Sequence, residues 1–301
     1  MNKIVLIGCG NVGMSYAYAL CTKDLNVDEL VLVDINKQKA EGEALDLSHA
    51  KAYLNKPMKI KAGDYADCND AKIVCICAGR NQEVGETRQD LIHKNYGVFK
   101  SIISEVNKTN FNGVYLVATN PLDTMTYLTQ KLSGFNPSKV IGSGTTLDTA
   151  RLRYIVADKL SINTQNVHAY VIGEHGDSEF VAWKNALIGP NKASKYLTSK
   201  QMSEIQTDVR NSAYEIINKK GNTAYGIGVC LEGITRSILN NERKIFTVSC
   251  YDMNKGLYYG MPAIVGENGV VKVLGIDLSS EEKKELENSI KSIKLNIKSM
   301  M

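Results

Sequence analysis

The sequence predicts an α/β fold: a doubly wound parallel sheet over the first half of the chain, followed by an α+β half. Three observations carry this. Continuous apolar runs (KIVLIG, ELVLVD, KIVCICAG, GVYLVATN) alternate with amphipathic stretches at 37–53 and 88–107, as expected of strands buried on both faces and their crossover helices. A glycine-rich turn follows the first run and opens a helical pattern. From about residue 162 the pattern changes to hairpin-like strands (VHAYVIG, KIFTVSC, PAIVG, GVVKVLGI) and longer helices near 199–240 and 280–299, a different kind of architecture. These features divide the chain at 1–144 and 145–301. At its end, Ser279 and Glu282 predict a capping box opening the last helix, with Leu286, Ile290 and Ile293 as its packing stripe.

Composition narrows the function classes. A chain of 301 residues with 44% apolar content can bury a large core. Its 36 basic and 32 acidic residues leave a net charge of +4, with no basic run interleaved with aromatics, so neither a nucleic-acid nor a membrane partner is indicated. The seven cysteines (9, 21, 68, 75, 77, 230, 250) lack zinc or CxxC spacing, which suits a reducing compartment and predicts no metal. Cys75 and Cys77 are expected in the core. The apolar start imitates a signal segment, but Gly8, Gly10, Asn11 and Gly13 interrupt it. No later stretch offers the roughly 18 apolar residues of a membrane span, and the cytoplasm is the expected location.

IGCGNVG is a GxGxxG string, weak evidence alone because glycine triples also occur in ordinary turns. Its context strengthens it. The glycines leave the first strand and open a helix, and VLVD ends a second strand at Asp34, 21 residues after Gly13, which is the Rossmann dinucleotide fingerprint. Gly8 permits the sharp turn, Gly10 lets a pyrophosphate approach the helix N-terminus at Asn11 and Val12, and Gly13 permits close helix-to-strand packing. A carboxylate at 34 can accept both adenosine-ribose hydroxyls and repels a 2′-phosphate, favouring NAD(H) over NADP(H). The competing explanation is a structural turn with Asp34 merely ending its strand.

Four further stretches carry polar residues suited to chemistry. AGRNQEVGETRQD (78–90) leaves a buried strand with Gln82 and Arg88; ATNPLD (118–123) ends the next strand with Asn120; GTTLDTARLR (144–153) sets Asp148 and Arg151 three apart, on one helix face. IGEHGDSE (172–179) places His175 between glycines and carboxylates in a chain with four histidines. Taken in order, with NVHAYVIG before His175 and GNTAYGIG after it, these strings resemble the L-lactate and malate dehydrogenase family over essentially the whole chain, with the bacterial lactate dehydrogenases the nearer branch.

The resemblance implies an oxidoreductase that exchanges hydride between NAD and a 2-keto or 2-hydroxy acid. It implies that His175 is the proton carrier, oriented by Asp148, a task that suits an imidazole near neutral pH. Arg151 would grip the substrate carboxylate in a two-bond fork that lysine cannot reproduce, and Arg88 would polarise the carbonyl on loop closure. Asn120 would orient the carbonyl or His175. Thr223 and Ile227 would line the substrate and nicotinamide pockets, with Ala78, Gly79 and Asn120 also along the cofactor. Each residue has an ordinary alternative: a solvated loop histidine, a surface ion pair between Asp148 and Arg151, a helix-start arginine at 88.

Position 82 is the family's discriminating residue. The malate branch carries arginine there for the second carboxylate of oxaloacetate, and Gln82 instead favours a small uncharged side chain, hence pyruvate and L-lactate. Arg80, two residues upstream, could restore some malate-type or broader 2-hydroxyacid activity if the loop closed in another register. An NADH-sensing protein without turnover is a further alternative, opposed by the intact His175, Asp148, Arg88 and Arg151. Arg153 lies about 200° round the helix from Arg151. His168 lies seven residues before His175, on the opposite face if the segment is extended. These two resemble the arginine and histidine with which allosteric bacterial lactate dehydrogenases bind fructose 1,6-bisphosphate at a two-fold subunit contact. The resemblance thus implies an activated homotetramer, a dimer of dimers. The ordinary alternative pairs Arg153 with a local acid and buries His168.

Overall fold

A computed structural model describes residues 1–54, 56–80 and 88–300, the side chains of Arg88 and Gln89 excepted. The first half runs β1 (Lys3–Ile7), α1 (Asn11–Thr22), β2 (Glu29–Val33), α2 (Lys37–His49), β3 (Lys59–Ala62), β4 (Ile73–Ile76), α3 (Arg88–Val106), β5 (Val114–Val117), α4 (Leu122–Ser133) and β6 (Val140–Gly142). It continues through α5 (Thr146–Leu160), β7 (Val167–His168), β8 (Val171–Ile172), β9 (Phe180–Val181), β10 (Leu187–Ile188) and β11 (Asn191–Lys192). The chain then forms α6 (Ser199–Lys220), α7 (Tyr225–Leu239), β12 (Lys244–Asp252), β13 (Leu257–Gly266), β14 (Gly269–Val273) and α8 (Ser280–Met300).

The expected parallel sheet is present, and alternation along its strands explains its two covered faces. Ile4 and Leu6 of β1 join Leu30, Leu32, Ile73 and Cys75 in a core closed by α1, α2 and α7. Val5 and Ile7 point the other way and join Val31, Val33, Val74 and Ile76 under α3 and α4. Both faces being apolar, the strands read as continuous runs rather than alternating ones. The order β14-β13-β12-β6-β5-β4-β1-β2-β3 adds an antiparallel edge to the parallel sheet. That edge comes from the second half, joined through Ser249 on β12 and Gly142 on β6. Helix α7 of the second half also packs on α1, where a Cβ at Gly228 would lie 2.6 Å from the Ser15 backbone. The two halves therefore share a sheet and a core.

Ser279 and Glu282 form the expected reciprocal cap at the start of α8, the Ser279 N–H donating to Glu282 Oε2 at 2.7 Å, and the Glu282 N–H to Ser279 Oγ at 3.2 Å. Ile290 and Ile293 are buried and Leu286 packs against them. Cys75 is buried and Cys77 half-buried, and all seven cysteines are free thiols. Among the described residues no helix is long and apolar enough to cross a membrane.

Candidate active site

The parallel strands end their chains at a common edge, and the turns leaving β1, β2, β4 and β5 meet there. Gly8 has φ +104, and a Cβ on it would lie 2.4 Å from the Ala78 nitrogen, while a Cβ on Gly13 would lie 2.0 Å from the Gly8 carbonyl oxygen. These contacts bring α1 down onto the strand ends. A Cβ on Gly10 would meet nothing within 4 Å, and no side chain caps the helix N-terminus. The first-turn amides of α1, at Asn11 and Val12, have no intrahelical partner, and Gly10 leaves room beside the helix N-terminus for an anion. Asp34, half-buried at the end of β2, accepts the Cys9 N–H at 2.8 Å and the Asn36 N–H at 2.9 Å. Those bonds fix the carboxylate and leave each oxygen a further lone pair for a ribose hydroxyl. The residues present fit a dinucleotide.

Across the edge, α5, α4 and the 173–179 turn assemble a second constellation. His175 Nδ1 lies 2.7 Å from Asp148 Oδ2, and Arg151 Nη1 donates to Asp148 Oδ1 at 2.7 Å. The Asp148 side chain is 2% exposed, Arg151 11% and His175 25%, which rules out the solvated histidine and the surface ion pair. Burial alone would raise the Asp148 carboxyl, but His175 and Arg151 hold it below its ordinary value. Burial likewise opposes charge on His175, yet the Asp148 carboxylate outweighs it and lifts the imidazole to about 9. With Asp148 ionised, Nδ1 must carry a hydrogen, so Nε2 is the nitrogen free to exchange a proton.

Three buried groups that motif reading passed over complete this centre. Glu179 packs against Asp148, and burial followed by the Asp148 charge pushes its carboxyl well above the usual range. It therefore holds a proton beside Asp148 rather than adding a second negative charge. Asp123 accepts the His175 backbone N–H at 2.8 Å and the Ser249 hydroxyl at 2.5 Å. Asn95 on α3 accepts the Arg80 N–H at 2.8 Å and donates to the Asn120 carbonyl at 2.8 Å, tying the turns after β4 and β5 together. Of these, Asp123 and Glu179 had a sequence signal, as acids within the ATNPLD and IGEHGDSE strings, and Asn95 had none.

The remaining predicted residues divide as follows. Thr119 Oγ1 donates to the Ala78 carbonyl at 2.8 Å, beside Gly79, and Asn120 is exposed at the strand edge. Thr223 and Ile227 are half-buried where α7 begins; a Cβ on neighbouring Gly226 would sit 2.8 Å from Leu147 of α5, so this turn borders both constellations. Gln82 and the Arg88 side chain lie outside the described residues. Arg153 faces away from Arg151, with Nε donating to the Ala169 carbonyl at 3.4 Å and the guanidinium 5.5 Å from the Tyr170 ring. His168 is exposed, and among the described residues no acid forms an ion pair with Arg153. Neither ordinary alternative for these two holds. The extended-strand premise fails, however: β7 and β8 are two-residue strands in different sheets, and the chain turns again at Gly173 and Gly176 with positive φ. These bends, rather than strand parity, part the two histidines.

Comparison with known proteins agrees with this geometry. Residues 2–142 match the lactate/malate dehydrogenase NAD-binding domain, and residues 145–301 match the α/β C-terminal domain of the same family. An L-lactate dehydrogenase of Halalkalibacterium halodurans is 47% identical over 297 residues, 97% of this chain and 96% of that protein. A solved lactate dehydrogenase from a Medee basin deep-sea metagenome library superposes with TM-score 0.96 at 45% identity, covering 99% of this chain and 98% of that one. The ligands-bound minor L-lactate dehydrogenase of Enterococcus mundtii gives TM-score 0.97 at 40% identity, covering 100% and 98%.

Proposed function

The chain belongs to the lactate/malate dehydrogenase family and binds NAD through its N-terminal domain, and from that premise we propose that it is an L-lactate dehydrogenase reducing pyruvate reversibly to L-lactate. Bound NADH supplies the hydride that reaches the substrate carbonyl carbon. His175 Nε2 gives its proton to the carbonyl oxygen, and in oxidation takes it back. Asp148 holds the ring and stabilises the imidazolium. Arg151 uses one guanidinium nitrogen on Asp148 and keeps the rest of its fork for the substrate carboxylate. Arg88 polarises the carbonyl as its loop closes and excludes water. Asn120, Thr223 and Ile227 shape the pocket between substrate and nicotinamide. Gly8, Gly10, Asn11, Val12, Gly13, Asp34, Ala78 and Gly79 hold the dinucleotide, within a division into a 1–144 cofactor domain and a 145–301 substrate domain.

The observation that carries this reading is the buried Asp148 bridging His175 and Arg151 at 2.7 Å each. A protein that only senses NADH has no use for a proton donor held at this cost in desolvation. Gln82 sets the preference for pyruvate, since a second substrate carboxylate opposite a neutral amide would be desolvated without a partner. Arg153 and His168 form half of a fructose 1,6-bisphosphate site completed by a second subunit of a cytoplasmic homotetramer. NADH oxidation measured with pyruvate, oxaloacetate and branched 2-keto acids side by side tests the assignment. We expect pyruvate to give the highest kcat/KM, and Gln82→Arg to move the ratio toward oxaloacetate. Oxaloacetate matching pyruvate in the wild type would overturn it.

A further inference from the structure

Asp123 in the first turn of α4 is 2% exposed and binds nothing that the dehydrogenase reading assigns to substrate or cofactor. Its two oxygens instead link two distant segments: Oδ2 accepts the His175 N–H at 2.8 Å across 52 residues, and Oδ1 accepts the Ser249 hydroxyl at 2.5 Å across 126. The turn that carries it is itself held, because Asn95 of α3 binds the Asn120 carbonyl three residues upstream. We propose that Asp123 is a positioning residue for proton transfer. As a carboxylate clamped between Ser249 and residue 175 it fixes the His175 main chain and favours the imidazolium, and protonation of Asp123 loosens that hold. The proposal rests on His175 being the proton donor.

The chemistry follows from charge. A carboxylate accepts an amide hydrogen bond about twice as strongly as a neutral oxygen does. Burial raises the Asp123 carboxyl to about 6, the bonds from Ser249 and His175 pulling it back down, so the clamp changes charge just below neutrality. The titratable groups acting on it are His175 and Glu174 from the turn and Cys250 beside Ser249 on β12. From α3 the polar group at this turn is Asn95, and from α8 Asn296 reaches Glu174 Oε1 at 3.2 Å. Acid keeps His175 protonated, which favours pyruvate reduction, so His175 cannot cause a loss of that activity as pH falls through 6. Asp148, held low, and Glu179, pushed well above the usual range, respond elsewhere.

The test is kcat for pyruvate reduction at saturating NADH and pyruvate, followed from about pH 5 to 8. We expect wild-type kcat to fall about tenfold below an inflection near 6, the scale of one charge-assisted hydrogen bond. Asp123→Asn should start about tenfold lower at neutral pH and lose the inflection. Ser249→Ala removes a bond that lowers the Asp123 pKa, so its inflection should move upward. Glu179→Gln should keep the inflection where it is. An inflection that survives in Asp123→Asn, stays fixed in Ser249→Ala, or vanishes in Glu179→Gln overturns the proposal. If Asp123→Asn does not fold, Ser249→Ala and Glu179→Gln decide it. Failure of the His175 reading would show separately, as near-normal turnover in His175→Asn.

Discussion

Helix α5 carries two arginines, Arg151 and Arg153, whose surroundings are opposite in kind. Arg151 and His175 share the buried Asp148, with the protonated Glu179 behind it and Asp123 fixing the turn. Arg153, two residues on, lies against the Ala169 carbonyl beside the exposed His168, with a tyrosine ring and no ion-paired acid among the described residues. Burial lowers the Arg153 guanidinium from its ordinary value and the Tyr170 side chain works against this, with no ion-paired acid among the described residues. The same residue types therefore do different work. On the proposed function, the acid between Arg151 and His175 retains a proton for exchange, whereas Arg153 and His168, without one, would receive an external anion.

Mutating each member separates the two regions. The largest effect is expected at His175: His175→Asn should lower pyruvate turnover by ~10²-fold or more, about 2.7 kcal/mol of transition-state stabilisation, while leaving NADH binding nearly intact. Stopped-flow turnover beside NADH fluorescence titration checks it, and near-normal turnover would return His175 to an ordinary loop residue. A smaller effect is expected at Arg153. Fructose 1,6-bisphosphate should lower the wild-type apparent KM for pyruvate about fivefold or more, and Arg153→Gln should abolish that response without changing the unactivated rate. Overlapping wild-type curves would remove the effector and leave the dehydrogenase untouched. The smallest belongs to His168. His168→Gln should weaken activation by about twofold to fivefold.

What could be read from sequence followed how local the cause was. The Gly8–Gly13 turn and Asp34 are short-range features, and their arrangement was legible because turn, helix and acid occupy fixed offsets along the chain. The buried strands were legible as apolar runs because both faces are covered. β3 escaped notice: its KIKA alternates at the sheet edge, exposing lysine, and carries no continuous run. The antiparallel extension through β12 also escaped, because strand order depends on which edges meet and the contact rests on one pairing, Ser249 with Gly142. Asp123, Glu179 and Asn95 share that limitation. Their partners lie tens of residues away or are reached only after the turns have folded, and a single acid or amide in a helix or turn has no periodicity to betray it.

The central claim is that Asp148 sets the proton affinity of His175 for a reaction that runs both ways. It is tested by kcat/KM for pyruvate and for L-lactate, for wild type and Asp148→Asn, from about pH 5 to 10. Reduction needs the imidazolium, so kcat/KM for pyruvate should fall as pH rises through about 9, while oxidation needs the neutral ring and should rise through the same midpoint. Asp148→Asn removes the carboxylate that raises the imidazole, so both midpoints should move down together toward the ordinary value of about 6.5. Profiles with different midpoints, or midpoints that stay in place in Asp148→Asn, would contradict it.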